Sequence, residues 1–319
     1  MIELRPYSSL SDERLWDDFV DFSRNGTFLF KRGFMDYHSD RFEDCSLLFI
    51  NKGKVLGCFP SNIDQSTGVV YSHQGLTYGG LILSKSVRSE EIIEMFSMLK
   101  SYYKKTFSSS KLIYKKVPYI YNSYPSDEDL YAIFLSGGRL TSRSLSSTID
   151  LYSPLKFSEL RRRCIHKGEL SNIKVVEVHD HTSYLSYWQL LSSCLEKNHG
   201  VTPVHSVDEM ILLSERFPDN ISLLLSKSVD GEIFAGSWLF KCGQVVHTQY
   251  LASSDRGKEL GALDYLINEF ISHYCNGFRY LDFGISTEDG GKLLNNGLIF
   301  QKEGFGGRGV CYDTYEINL

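Results

Sequence analysis

Asp282 lies in Phe278-Arg279-Tyr280-Leu281-Asp282-Phe283-Gly284, a strand-like run that turns its carboxylate to the side opposite Leu281 and Phe283. A carboxylate so placed either accepts a proton or fixes the loop that follows. His199 and His205 stand six positions apart in Asn198-His199-Gly200-Val201-Thr202-Pro203-Val204-His205, and an imidazole can take a proton near neutral pH. Such a pair also suits a metal, but no third ligand at metal-site spacing accompanies it, so no metal is expected. Tyr250 is a strand tyrosine, fit either to orient an acceptor and protonate a leaving group or to pack in a core. Nearer the start, Asp36-Tyr37-His38-Ser39-Asp40-Arg41 gathers carboxylate, hydroxyl, imidazole and guanidinium. The loop His73-Gln74-Gly75-Leu76-Thr77-Tyr78-Gly79-Gly80 is polar and interrupted by glycine, which lets a ligand approach backbone closely. Arg161-Arg162-Arg163, with His166 and Lys167, would neutralise a diphosphate or line a solvated helix face.

The elements that would hold these groups follow one plan twice. In the first half residues 2–7 read as extended, and Ser11 stands where it would cap a helix carrying Trp16, Phe19 and Val20. Strands are expected at 45–50 and 55–60, joined by Asn51-Lys52-Gly53-Lys54 as a hairpin turn. Short strands at 68–72 and 81–83, a helix at 89–103, a strand at 111–117, a helix at 127–134 and a strand at 142–151 complete it. The second half reads as a strand at 174–178, helices at 183–197 and 207–216, and strands at 222–226, 233–240 and 244–251. A helix at 258–275 and strands at 279–283 and 310–317 follow. The join falls near Pro154, before a basic helix at 159–167, which gives domains of 1–153 and 154–319.

Bulk properties restrict the classes. The 319 residues suffice for two domains, with 42% hydrophobic and 23% charged residues, as in a soluble globular protein. A formal charge of −5 argues against a surface that coats nucleic acid. No run approaches the ~20 apolar residues that span a bilayer, and no signal peptide is evident. Seven scattered cysteines without Cys-x-x-Cys fit free thiols in a cytoplasmic protein.

The order of strand, polar turn, helix, strand ending in Asp-Phe-Gly, then Lys302-Glu303-Gly304-Phe305-Gly306, resembles the C-terminal half of a Fem-type GNAT acyltransferase. With Phe34-Met35-Asp36-Tyr37-His38 and the loop at 73–80, the chain looks most like bacterial tandem-GNAT enzymes that N-acylate amino sugars carried on nucleotide diphosphates. The resemblance implies an α/β (α+β) fold of two tandem GNAT-like domains, each a mixed, mostly antiparallel sheet flanked by helices. It implies acyl-CoA as cosubstrate, bound by the second domain alone. Gln249, Tyr250 and Leu251 would pair with the pantetheine arm. Arg256-Gly257-Lys258-Glu259-Leu260-Gly261 would hold the pyrophosphate on helix-opening amides, although Glu259 replaces the expected middle glycine. Lys302 joins this cofactor set. Aminolysis of the thioester would use Asp282 or His205 as base, with Tyr250 assisting. The acceptor, a nucleotide-linked amino sugar, would meet Asp36, Tyr37, His38, Arg41, His73, Gln74, Tyr78, Arg162 and His199. Fem-type enzymes that draw on aminoacyl-tRNA, and a non-catalytic acyl-CoA-binding protein, are the competing expectations. The negative charge and the lack of a long basic coiled-coil insertion weigh against the tRNA reading.

Overall fold

Lys52 and Gly53 both adopt left-handed backbone angles (φ 49° and 76°), the geometry that closes a tight hairpin between strands Leu47–Asn51 and Lys54–Phe59. The computed structural model describes the backbone of all residues and every side chain except those of Asn198 and His199. Contacts divide the chain into two compact units. The first comprises Met1–Leu145, Thr287–Leu293 and Cys311–Leu319. Its hairpin joins strands Glu3–Pro6 and Ile82–Leu83 in a four-stranded antiparallel sheet. Helix Ser89–Phe107 lays Ile92, Met95, Phe96, Leu99 and Tyr103 into the core beneath it. In a second sheet, Val69–Tyr71 runs parallel to Lys111–Lys115, whose other edge pairs with strand Arg308–Asn318 from Thr314 to Asn318.

The second unit comprises Ser146–Ser286 and Leu294–Val310. Its strands run in the order Lys174–Val178, Ile221–Lys227, Ile233–Cys242, Val245–Ser253, Tyr280–Ile285, and then the end of strand Arg139–Asp150. All neighbours are antiparallel except Val245–Ser253 and Tyr280–Ile285. That parallel pair holds register only at Val245–Tyr280, Val246–Leu281 and His247–Asp282, and both strands continue past it. The sheet therefore splays open just beyond His247. One face carries Leu224, Leu239, Val246 and Leu281 against Leu266, Ile267 and Phe270. The other packs Trp238 on Tyr184 and Tyr187 of helix His181–His199.

Three expectations need correction. The first helix begins at Glu13 after Asp12, not under a Ser11 cap, because Asp12 accepts the Ser8 amide and shapes that turn. The helix expected at 258–275 is three pieces: Asp255–Leu260, Ala262–Glu269 and a π-turn at Phe270–Tyr274. Gly261 breaks it by turning left-handed (φ 69°) with its Cα against the Cys164 carbonyl, where a Cβ would lie 2.2 Å from the oxygen. The division is also not at Pro154. Residues 146–150 complete the second unit's sheet beside Tyr280–Ile285, and Cys311–Leu319 belong to the first unit.

Candidate active site

Pairing across a sheet decides which side chains share a face, since directly opposed residues point the same way. His247 opposes Phe240 and Tyr250 opposes Trp238, with a bulge at Gln249 between them. Phe240 and Trp238 are two apart, so His247 and Tyr250 share a face although they are three apart. Asp282 opposes both His247 and Thr148, which adds it to that face.

There the Asp282 carboxylate is fully buried. It accepts hydrogen bonds from His247 Nδ1 at 2.8 Å, Thr148 Oγ1 at 2.7 Å and Ser146 Oγ. Burial alone would raise its pKa. The His247 bond and charge, with the two hydroxyls, outweigh that and lower it to about 2. Such a carboxylate is a weak base with its lone pairs taken, which runs against the expectation that it removes a substrate proton. What it does hold is His247, whose side chain keeps 13% exposure at the apex of the splay. An Nδ1–H bonded to a carboxylate leaves Nε2 as the basic nitrogen. Gly284 (φ 75°) lies against that edge of the ring: a Cβ there would sit 3.2 Å from His247 Cε1 and 3.7 Å from Nε2. His247 escaped the sequence reading because Val246-His247-Thr248 looks like any alternating strand. Only the parallel register with Asp282 marks it.

Beyond the apex a cleft of about 480 Å³ fills the splay. Leu251, Ala252 and Ser253 line it from one strand and Phe283 from the other. Helices contribute Lys258, Arg161, Asp264 and Lys302, so three cations and one carboxylate border it. Arg161 pairs with Asp264 at 2.7 Å and lies over the Phe305 ring. Lys302, nearly buried, donates to the carbonyls of Gly284 and Ile285, both at 2.8 Å. Burial lowers its pKa to about 8, with Asp282 pulling the other way.

Of the expected cofactor residues, Leu251, Gly257, Lys258 and Lys302 border the cleft, whereas Gln249, Arg256 and Gly261 are not among its lining. Arg256 is exposed and reaches Glu232 at 3.2 Å. The Gly257 amide donates to Ser254 Oγ at 2.9 Å, and a Cβ on Gly257 would lie 2.1 Å from the Phe234 carbonyl. Both glycines of this turn thus serve close packing. Arg162 is solvent-exposed, and its neighbour Arg161 faces the cleft instead. His205 Nδ1 meets the Tyr250 hydroxyl at 2.7 Å. The side chain of His199 lies outside the described residues.

The first unit holds the remaining candidates. Asp36 pairs with Arg32 at 2.7 Å, and Tyr78 bonds Thr27 from full burial. Gln74 exchanges two hydrogen bonds of 2.7 Å with Asn62. His38 and His73 are buried and stacked at 5.3 Å with Phe42 against both. Burial, then the nearby His38 and Lys115, push the His73 pKa well below the ordinary value. Tyr37 is half-buried, and Arg41 is exposed with its guanidinium over the Tyr37 ring.

Residues 158–289 match the family described as the acetyltransferase (GNAT) domain. Most of that stretch, residues 158–286, lies in the second unit. No curated protein matches the sequence. Among solved structures, FemX aligns over 99% of this chain and 97% of its own, at 11% identity and a TM-score of 0.71. L-PGS from Bacillus licheniformis aligns over 95% and 90%, at 11% identity and a TM-score of 0.61. A tandem GNAT protein from the clavulanic acid biosynthesis pathway aligns over 100% and 98%, at 11% identity and a TM-score of 0.54. At these identities the likeness is one of fold. The chain has the mixed α+β architecture of GNAT proteins, with mostly antiparallel sheets flanked by helices.

Proposed function

We propose that this chain is a cytoplasmic N-acyltransferase that moves an acyl group from acyl-CoA to the amine of a nucleotide-diphosphate-linked amino sugar, for surface polysaccharide. The observation that carries acyl transfer is the His247–Asp282 pair at the apex of the splay. An acyl arm in the cleft would bring its thioester carbonyl to that apex. His247 Nε2 takes a proton from the acceptor amine as its nitrogen attacks the carbonyl carbon. The C–N bond forms, the C–S bond breaks, and the thiolate leaves to be protonated as free thiol. Asp282 stabilises the imidazolium that results. Lys258, Arg161 and Lys302 give the cleft the positive potential that a phosphorylated donor requires.

A Fem-type reaction with an aminoacyl-tRNA donor is the second reading. It is favoured by the packing role of Gly257 and Gly261 and by the engagement of Arg256 with Glu232, which leave little of the expected pyrophosphate turn. Calorimetric titration with acetyl-CoA separates the two. Lys258→Glu should weaken acetyl-CoA at least ~10-fold through charge reversal at the cleft rim, while Arg88→Glu, in the first unit, leaves it unchanged. Equal losses in both variants would remove the one-site claim. No acetyl-CoA binding by the unaltered chain would move the donor to aminoacyl-tRNA. A screen of nucleotide-linked amino sugars against several acyl-CoAs, read by free thiol and product mass, identifies the acceptor.

A further inference from the structure

Three tryptophans occur in the chain, and Trp16 and Trp238 are completely buried. Trp188, on helix His181–His199, is only half-buried. Its ring stands edge-on to Tyr250 at 5.5 Å and 84°, and to Trp238 at 5.8 Å and 81°. Tyr250 is fixed in turn by His205, which meets its hydroxyl through Nδ1 at 2.7 Å and whose ring lies perpendicular to it at 5.9 Å. Mutually perpendicular rings of this kind lock one another and leave little rotamer freedom to lose when a ligand arrives. The cluster also forgoes stability. Trp238 Nε1 is buried without an acceptor among the described residues, a deficit of about 1–3 kcal/mol in general.

Position gives the cluster its meaning. The bulge at Gln249 puts Tyr250 on the same sheet face as His247. Successive same-face residues on a strand lie roughly 7 Å apart, a little more across a bulge. We infer that Trp188 and Tyr250 form the shelf that seats the pyranose ring of the acceptor, with its amine directed to His247. A sugar ring presents weakly positive C–H edges to the negative face of an aromatic ring. A shelf this close to the base meets the ring that bears the reacting amine, while the nucleobase lies a diphosphate further away. This inference rests on the amino-sugar acceptor proposed above.

The test is binding measured without any donor. A dTDP-linked aminodideoxyhexose should change tryptophan emission saturably, in the unaltered chain and in His247→Gln alike, while dTDP alone leaves it unchanged at the same concentration. By calorimetry Trp188→Phe should keep affinity for the same compound within about three-fold, and Trp188→Leu should lose at least ~10-fold with the acyl-CoA KM unchanged. An equal emission response to dTDP would overturn the shelf in favour of base stacking. Sugar binding and turnover by Trp188→Leu within a factor of about two would overturn the shelf and leave the reaction standing. Sugar binding that persists when no acyl-CoA is turned over supports the shelf and refutes the donor. Neither binding nor turnover of the sugar overturns the shelf together with its acceptor.

Discussion

His247→Gln should lower kcat by about 10²–10⁴-fold and leave the KM for the acyl donor nearly unchanged. Glutamine approximates the imidazole in size but cannot take the amine proton at Nε2. Residual turnover remains because the cleft still positions the two reactants. Asp282→Asn should cost a similar amount for another reason. An amide there can no longer compensate a charged imidazole, and it disturbs the acceptor pattern that three donors require. Part of either loss should return at higher pH, where more of the free amine is already neutral. His205→Gln is the control: it should act mainly through Tyr250, on acceptor KM. If it abolishes turnover while His247→Gln stays within about three-fold, the base lies in the connection between the two helices. Asp282 has a further signature. Its carboxylate is held at about 2, below its unfolded value near 4, so its contribution to stability is complete above pH ~4. That contribution is lost as pH falls from about 4 toward about 2, and acid unfolding of Asp282→Asn should be correspondingly flatter in this window.

Gly261→Ala should be the most damaging small substitution in the second unit. The residue is left-handed, which costs alanine about 1 kcal/mol, and the new methyl would meet the Cys164 carbonyl at 2.2 Å. Cys164 belongs to helix Glu159–Leu170, which also brings Gly168 against Tyr265, so the contact is backbone on backbone and cannot yield by a rotamer change. A total near 3 kcal/mol and a fall in Tm of roughly 10 °C are expected. Gly243→Ala supplies the comparison. Its φ is 60°, but no atom lies within 4 Å of the added methyl, so it should pay only the backbone term. Thermal unfolding followed by circular dichroism decides: equal Tm values for the two would show that the turn relaxes and that Gly261 is not a packing residue.

Local signals carried most of the elements. Short apolar runs bounded by turn residues marked the strands around Leu47–Asn51, Lys54–Phe59 and Ile233–Cys242, and the Lys52-Gly53 turn marked its hairpin. The break at Gly261 stayed hidden because the apolar period continues through it, and the cause is a contact with a distant carbonyl. Arg161 was legible in principle. With Cys164, Ile165 and Gly168 it makes the i, i+3, i+4, i+7 stripe that faces inward, and that stripe excludes Arg162. Two glycines in a polar turn suggested phosphate binding, yet glycine serves equally where backbones must touch, and sequence does not separate the two uses. The role of His247, and the attachment of the end of strand Arg139–Asp150 to the second unit's sheet, depend on pairings between segments far apart in the chain, so no window of neighbouring residues could reveal them.

The pairing of Lys111–Lys115 with strand Arg308–Asn318 bears on how the protein is made. On the ribosome, helix Ser89–Phe107 emerges early, but one edge of Lys111–Lys115 stays open until Thr314 is synthesised, and Ile317 joins the helix's core only after that. At typical rates of 5–20 residues per second that interval is roughly ten to forty seconds. Throughout it the nascent chain presents an uncapped strand with unpaired backbone groups, the usual template for pairing with a foreign chain. Its alternation of Lys111, Leu112, Ile113, Tyr114 and Lys115 puts a lysine at each end of the apolar stretch, the arrangement by which edge strands resist aggregation. The lysines that bracket this strand thus guard an edge that only the last residues of the chain cover.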